Sequence, residues 1–184
     1  DLHAASAPHR GEKFVYPGTC KNLTDEQRKE RVLTRKPAQR LIVPDAVYAF
    51  ADLVQGDYRQ NLATECGDFL VQRSDQAFAY QLAVVVDDAA QGVTSVVRGV
   101  DLLCSTPPQL YLQDVLGLEH PEYAHIPLVV AEMNRRLSKR DHDAAIDELL
   151  ARFGSPEAVI GHIAGITGIA ATCEPATPEQ LLNG

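Results

Sequence analysis

The sequence has no tryptophan, a single methionine, and aromatic residues at only 6% of 184 positions. No apolar run in it is long enough to cross a bilayer, which excludes a membrane-spanning helix. Its four cysteines, Cys20, Cys66, Cys104 and Cys173, stand far apart with no paired spacing, and no secretory leader opens the chain. A disulfide framework is not expected, and a reducing cytoplasm fits best. Net positive charge is missing as well: 17 Lys and Arg against 25 Asp and Glu leave −8. That balance excludes indiscriminate coating of nucleic acid, a mode that needs a broad basic surface to release counterions. An initiator methionine is also absent, and the opening DLHAASAPHRG reads like the middle of a domain, so an incomplete N-terminus is expected.

What is present is 45% hydrophobic and 23% charged residues, enough for one globular domain, or one with an appended lobe, and too apolar for disorder. The positive charge is gathered in two places. Lys21, Arg28, Lys29, Arg31, Arg35, Lys36 and Arg40 form the first group. It reads either as an anion contact or as the solvated face of a helix on which Asp25, Glu26 and Glu30 pair with the cations. The second is RRLSKR, Arg135 to Arg140, four cations in six residues directly after the apolar HIPLVV and AEMN. A helix would intersperse carboxylates there and a strand would alternate, so a loop that meets an anion fits better.

Along the chain, residues 1–19 read as loop or short helix, closed by a turn at Tyr16-Pro17-Gly18. Thr24 with Gln27 three residues on is a capping box, predicting a helix from Asp25 to Leu33 that Pro37 ends. RLIV and VYAFAD predict strands around Pro44, and GDFLVQRSDQAFAY a hairpin turning at Ser74-Asp75-Gln76. LAVVVDDAAQG serves either period and is read as helix, with Asp87 and Asp88 as a solvated helix end rather than a metal pair. GVTSVVRG is β-branched between two glycines and predicts a buried strand. Pro107 and Pro108 open a helix that Gly117 stops, and HIPLVV predicts another buried strand. DHDAAIDELLARFG is amphipathic, and Ser155, Pro156 and Glu157 start a further helix near the C-terminus. Strand, helix, strand, then helices describe half of an α/β sheet with a helical lobe, without internal repeats.

FAYQLAVVVDDAAQGVTSVVRGVDLLCSTPPQLYLQDVLG, then YAHIPLVV, then RRLSKR, closely resembles the second half of the catalytic domain of class I glutamyl-tRNA synthetases. The resemblance implies an α/β fold, the second half of a Rossmann-like catalytic domain with an inserted α+β acceptor-type subdomain and a C-terminal helical lobe. It implies boundaries at 1–78 for the inserted, zinc-element-like connective subdomain, 79–131 for the second half of the nucleotide-binding fold, and 132–184 for the basic loop and a helical lobe that contacts the tRNA stem. Arg136, Ser138 and Lys139 match the family's KMSKS-type loop, which would place them on the triphosphate of ATP. Lys139 would neutralise the charge gathering on pyrophosphate as the adenylate forms, more strongly in the transition state than before it. Mg2+ would accompany ATP, held by phosphate and water. Tyr80, Arg98 and Leu102 match residues that contact L-glutamate, a role suited to the planar fork of arginine and the oriented hydroxyl of tyrosine. Read without the family, Tyr80 is a core ring, Arg98 a structural ion pair with Asp101, and Leu102 core.

FVYPGTC adds a finer resemblance, to the zinc element Cys-x-Cys followed by Tyr-x-x-x-Cys of the glutamyl-queuosine tRNA(Asp) synthetases, short paralogues of the same family. Tyr16 and Cys20 are in register as Zn2+ ligands, but no cysteine stands between Asp1 and Thr19, and two ligands cannot close a tetrahedral site. The segment RGVDLLCSTP favours the paralogue too. Its members activate glutamate with ATP and transfer it to queuosine in the anticodon of tRNA(Asp), which implies a cytoplasmic enzyme, expected here as a monomer. The family's N-terminal half, with the HIGH motif, has no counterpart, since His125-Ile126-Pro127-Leu128 stands in the downstream strand. This chain alone is accordingly expected to be incomplete for catalysis. The alternatives are a fragment of a glutamyl-tRNA synthetase catalytic domain and a non-catalytic tRNA-binding remnant.

Overall fold

The computed structural model describes residues 15–128 and 146–183. The chain divides into two compact units, Asp1–Ile126 and Pro127–Gly184. Among the described residues no helix is long and apolar enough to cross a membrane.

In the first unit the capping box places helix α1 at Asp25–Thr34. The Gln27 amide donates to Thr24 Oγ1, and the Thr24 amide donates to Gln27 Oε1. None of its residues is buried, and Arg28 pairs with Asp25 at 3.6 Å. The solvated-face reading thus describes α1 itself. Flanking cations are engaged within the protein: Arg35 donates to Ser74 Oγ at 2.8 Å, Lys21 pairs with Asp68 at 3.7 Å, and Arg40 donates to the Asp68 carbonyl at 2.9 Å.

Strand β1, Gln39–Leu41, does not pair with its neighbour in sequence but runs antiparallel to β4, Phe69–Gln72. Between them lies a hairpin, β2 at Val47–Asp52 and β3 at Gly56–Asn61, followed by a π-type turn at Leu62–Cys66. Strand β3 was not expected, because GDYRQN offers no apolar alternation; its pairing with β2 imposes the extended form. The expected reversal at Ser74-Asp75-Gln76 is present, with Gln76 at φ 73° and the Arg73 amide donating to the Ala77 carbonyl. Its return arm differs from expectation, shrinking to one bridge, Gln72 to Phe78. The reason is that Tyr80, two residues after Phe78, already opens helix α2, Tyr80–Ala90, which holds Asp87 and Asp88 in its last turn.

Strand β5, Ser95–Gly99, lies parallel to β6, Glu122–Ile126, with Arg98 opposite His125. The crossover between them is a 3-10 turn, Val100–Ser105, leading into helix α3, Thr106–Leu116, which packs on α2. The two prolines sit in the first turn of α3, and Gly117 ends it at φ 67°, a left-handed conformation that favours glycine. Two strand expectations are corrected. β5 is not buried throughout, since Val97 is 65% exposed. β6 begins at Glu122 and ends before Pro127, whose missing N–H cannot continue a ladder, so HIPLVV is not the strand; residues 129 and 130 lie outside the described residues. Leu62, Leu70, Val85, Val100, Leu110 and Leu112 form much of the core of this unit.

The second unit contains α4, Ile146–Phe153, α5, Pro156–Thr167, and α6, Pro178–Leu182. Ser155 caps α5 by accepting from the Ala158 amide at 3.2 Å. The segment after α5 folds back onto it, and the Ala176 amide donates to the Glu157 carbonyl at 3.0 Å. Gly161 makes this approach possible, because a Cβ there would stand 1.8 Å from the carbonyl oxygen of Glu174. The obstructing atom is backbone and cannot rotate away. Gly161→Ala gains about 1 kcal/mol of helix propensity, yet it should destabilise this unit by roughly 1–3 kcal/mol through overpacking. Amide exchange over 157–176 with urea denaturation checks this, and slower exchange in the variant would overturn it.

Candidate functional site

The parallel pair β5–β6 sets two polar side chains beside each other at its C-terminal end. Arg98 donates from Nε to His125 Nε2 at 3.0 Å and from Nη2 to Thr106 Oγ1 and Gln109 Oε1, both at 2.8 Å. These partners come from β6 and from the first turn of α3, where Thr106 and Gln109 are buried. Gln109 in turn donates to Gln81 Oε1 at 2.7 Å, which ties α3 to the start of α2. The three acceptors are a ring nitrogen, a hydroxyl and an amide oxygen, none of them a carboxylate. Nη1 of Arg98 carries no hydrogen bond to a described residue. A half-buried guanidinium with one open nitrogen, facing neutral partners, can take an anion.

His125 is fully buried and reaches back to the β2–β3 hairpin, where its Nδ1 meets Asp52 Oδ2. Asp52 Oδ1 accepts from the backbone amides of Val54, Gln55 and His125 at 3.0, 2.8 and 3.1 Å. Burial by itself would raise the Asp52 carboxyl; the hydrogen bonds from His125 and from these amides outweigh it and hold the group at about 2. Tyr123, one turn of the pleat away, stacks with His125 at 6.2 Å and lies 5.3 Å from the Arg98 guanidinium. Burial pushes the Tyr123 phenol up, Gln113 and Arg98 oppose that shift, and Asp88 and Tyr80 add to it. Arg98 and Tyr80 are therefore both electrostatic neighbours of one buried phenol. Tyr80 is the first residue of α2, 36% exposed and adjacent to Gln81. Leu102 is half-buried in the 3-10 turn directly after β5. The hydrogen-bond network thus joins Arg98 to the residue beside Tyr80. Arg136, Ser138 and Lys139 lie outside the described residues, and so does their relation to this end of the sheet.

Tyr16 and Cys20 do meet. The Cys20 amide donates to Tyr16 Oη at 2.9 Å, and the reversal between them is closed by Lys21 donating to the Gly18 carbonyl, slightly later than the expected turn. The Arg40 guanidinium lies 3.9 Å above the Tyr16 ring. Cys20 is exposed; burial pushes the Cys66 thiol up to about 12 and raises that of Cys104, so neither is poised as a thiolate. Among the described residues there is no group of three or more His, Cys, Asp or Glu that could hold a metal. Tyr16 and Cys20 alone supply half of a tetrahedral set and do not make a zinc site by themselves.

Sequence reasoning named Arg98, which the structure sets in this network, and Tyr80, which stands beside its member Gln81, but did not name Asp52, His125, Thr106, Gln109 or Gln81. A usable signal existed: VYAFAD, SVVRG and EYAHI each carry a polar residue at or near the C-terminal end of an otherwise mainly apolar strand. Such residues buried in a sheet must satisfy one another.

The chain belongs to the class I tRNA synthetases for glutamate and glutamine: the model of that family's catalytic domain matches residues 3–173. Its relatives include the glutamyl-Q tRNA(Asp) synthetases of Symbiobacterium thermophilum, 45% identical, and Nitratidesulfovibrio vulgaris, 46% identical, each matched over 97% of this chain and 56% of the relative. The chain spans about half the length of the curated relatives it matches. A glutamate tRNA ligase from Elizabethkingia meningosepticum, solved in complex with its amino acid, superposes with TM-score 0.61 at 23% identity, over 83% of this chain and 35% of the ligase. The fold is therefore that of a class I synthetase catalytic domain, α/β as expected.

Because the folded Asp52 carboxyl lies near 2, below its ordinary 3.8, the pair contributes stability above pH 4 that is lost as pH falls toward 2. Urea midpoints between pH 5 and 2 should fall more steeply for the wild type than for Asp52→Asn. Equal slopes would remove the coupling.

Proposed function

We propose that the protein to which this chain belongs activates glutamate with ATP and transfers it to queuosine in the anticodon of tRNA(Asp). The observation that carries this reading is the Nη1 of Arg98, without a hydrogen-bond partner among the described residues, in a synthetase catalytic domain. The printed names of relatives at 45–46% identity support the transfer to queuosine. In this reading Arg98 takes a carboxylate of glutamate, Tyr80 orients it through its hydroxyl, and Leu102 lines the pocket. Arg136, Ser138 and Lys139 bind the ATP phosphates. Lys139 offsets the negative charge that develops on pyrophosphate when the amino-acid carboxylate attacks the α-phosphorus. Mg2+ held by the phosphates would assist the same displacement. Residues 1–78 serve as the inserted connective subdomain, 79–131 as the second half of the nucleotide-binding fold and 132–184 as the basic loop with its helical lobe. Tyr16 and Cys20 would be two of four Zn2+ ligands. The proposed setting is a cytoplasmic monomer.

The likeness in fold to glutamate tRNA ligases keeps one other reading in view, a glutamyl-tRNA synthetase that charges the 3′ end. Full-length protein separates the two. Glutamate-dependent exchange of pyrophosphate into ATP without tRNA, followed by labelled glutamate recovered in the anticodon fragment of queuosine-containing tRNA(Asp), is the expected result. Label on the 3′-terminal adenosine would establish the other reading, and no exchange at all would leave a tRNA-binding remnant.

Arg98→Ala should raise the KM for glutamate about tenfold to a hundredfold, the worth of a charged hydrogen bond, with the KM for ATP little changed. Lys139→Ala should instead lower kcat and leave glutamate KM near wild type. Pyrophosphate-exchange kinetics read both, and an Arg98→Ala variant with unaltered glutamate dependence would remove that assignment.

A further inference from the structure

We infer that Asp52, acting through His125, is a positioning residue for the guanidinium of Arg98, fixing which of its nitrogens faces glutamate; this rests on the function proposed above. The argument starts from which atoms can donate. An arginine Nε–H donates and cannot accept, so the 3.0 Å contact to His125 Nε2 requires an unprotonated Nε2. An ionised carboxylate accepts and cannot donate, so the contact of His125 Nδ1 with Asp52 Oδ2 requires the proton on Nδ1. The two ends agree on one tautomer. Asp52 selects it, and the result is a lone pair aimed at Arg98.

The carboxylate is itself immobilised. Its Oδ1 accepts from three backbone amides, two of them from the turn that joins β2 to β3. That turn is docked on β6: the Leu53 amide donates to the Tyr123 carbonyl at 2.9 Å, and Gln55 Nε2 donates to the His125 carbonyl at 2.7 Å. At the other end, Gln109 presents its oxygen to Arg98 because its nitrogen is committed to Gln81. Nε and Nη2 are thereby held in place, and Nη1 is left to meet an anion. The ordering of this long side chain is then completed on folding and does not weaken binding.

Asp52→Asn tests this with almost no change in volume. The amide oxygen can keep the three backbone donors, but its NH2 then faces His125 Nδ1–H. The ring can relieve that clash only by moving its proton to Nε2, where it opposes the Nε–H of Arg98. The reversed amide would set its NH2 against three backbone N–H groups and is worse. In the full-length protein, nitrogen NMR of labelled histidine should show His125 protonated on Nδ1 in the wild type and on Nε2 in Asp52→Asn. Pyrophosphate exchange should show glutamate KM raised at least about tenfold, the scale of one charged hydrogen bond, with ATP KM unchanged. The double variant Asp52→Asn with His125→Gln should recover much of that loss, because the Gln oxygen accepts from Arg98 without a tautomer; a pair that only supports the fold would show no such recovery. A wild-type His125 ring protonated on Nε2 overturns the inference even if Asp52→Asn does not fold. Wild-type exchange with glutamate KM unchanged in Asp52→Asn overturns the positioning alone, whereas a wild type without glutamate-dependent exchange overturns the proposed function and the positioning with it.

Discussion

The contact between Asp52 and His125 is the constraint on which the first unit turns. It joins residues 73 positions apart, one on an antiparallel hairpin and the other on a parallel strand, through fully buried polar atoms. A buried carboxylate tolerates such a place only when each lone pair is engaged, and here four donors engage it. Meeting that demand fixes the hairpin against β6, and fixing β6 places His125 opposite Arg98. Apolar packing surrounds the arrangement. Phe50 meets Tyr123 edge to face at 5.6 Å, and Tyr123 stacks on the imidazole. Packing alone would accept several registers, whereas the polar contacts accept one.

The same logic governs the site. A guanidinium usually finds a carboxylate inside a protein, and it is then neutralised. Among the described residues its direct acceptors are uncharged, and the negative charge stands one ring away, delivered through an imidazole. Those residues thus hold Arg98 firmly without giving it an anion, the condition under which a cation can still bind one from solution.

Legibility in the sequence followed locality. α1, α3 and α5 were readable because their start and stop signals lie in or beside the helices themselves: Thr24 with Gln27, Pro107 and Pro108 with Gly117, Ser155 with Pro156. The α/β class was readable from the order of elements and from family resemblance. β3 was not readable, since GDYRQN becomes a strand only by pairing with β2. The return arm after Gln76 was misread because AFAY suits a strand, whereas helix α2 already begins at Tyr80 and leaves room for a single bridge. In the site, Arg98 and Tyr80 stood out through family motifs. Asp52 and His125 did not, because a single polar residue in an apolar strand says nothing about its partner until the sheet and the hairpin are assembled. Arg136, Ser138 and Lys139 were legible as a pattern and lie outside the described residues.

Helix α1 stands apart from this economy of burial. Its ten residues put no side chain into a core, and a helix of that length is marginal on its own in water. Its shape rests on the reciprocal bonds at Thr24 and Gln27 and on contacts made by the chain at either end. Most of its outward positions are consequently free to drift in identity as long as the first turn is kept, so charge on that surface can be tuned by selection without disturbing the sheet and hairpin that hold Arg98.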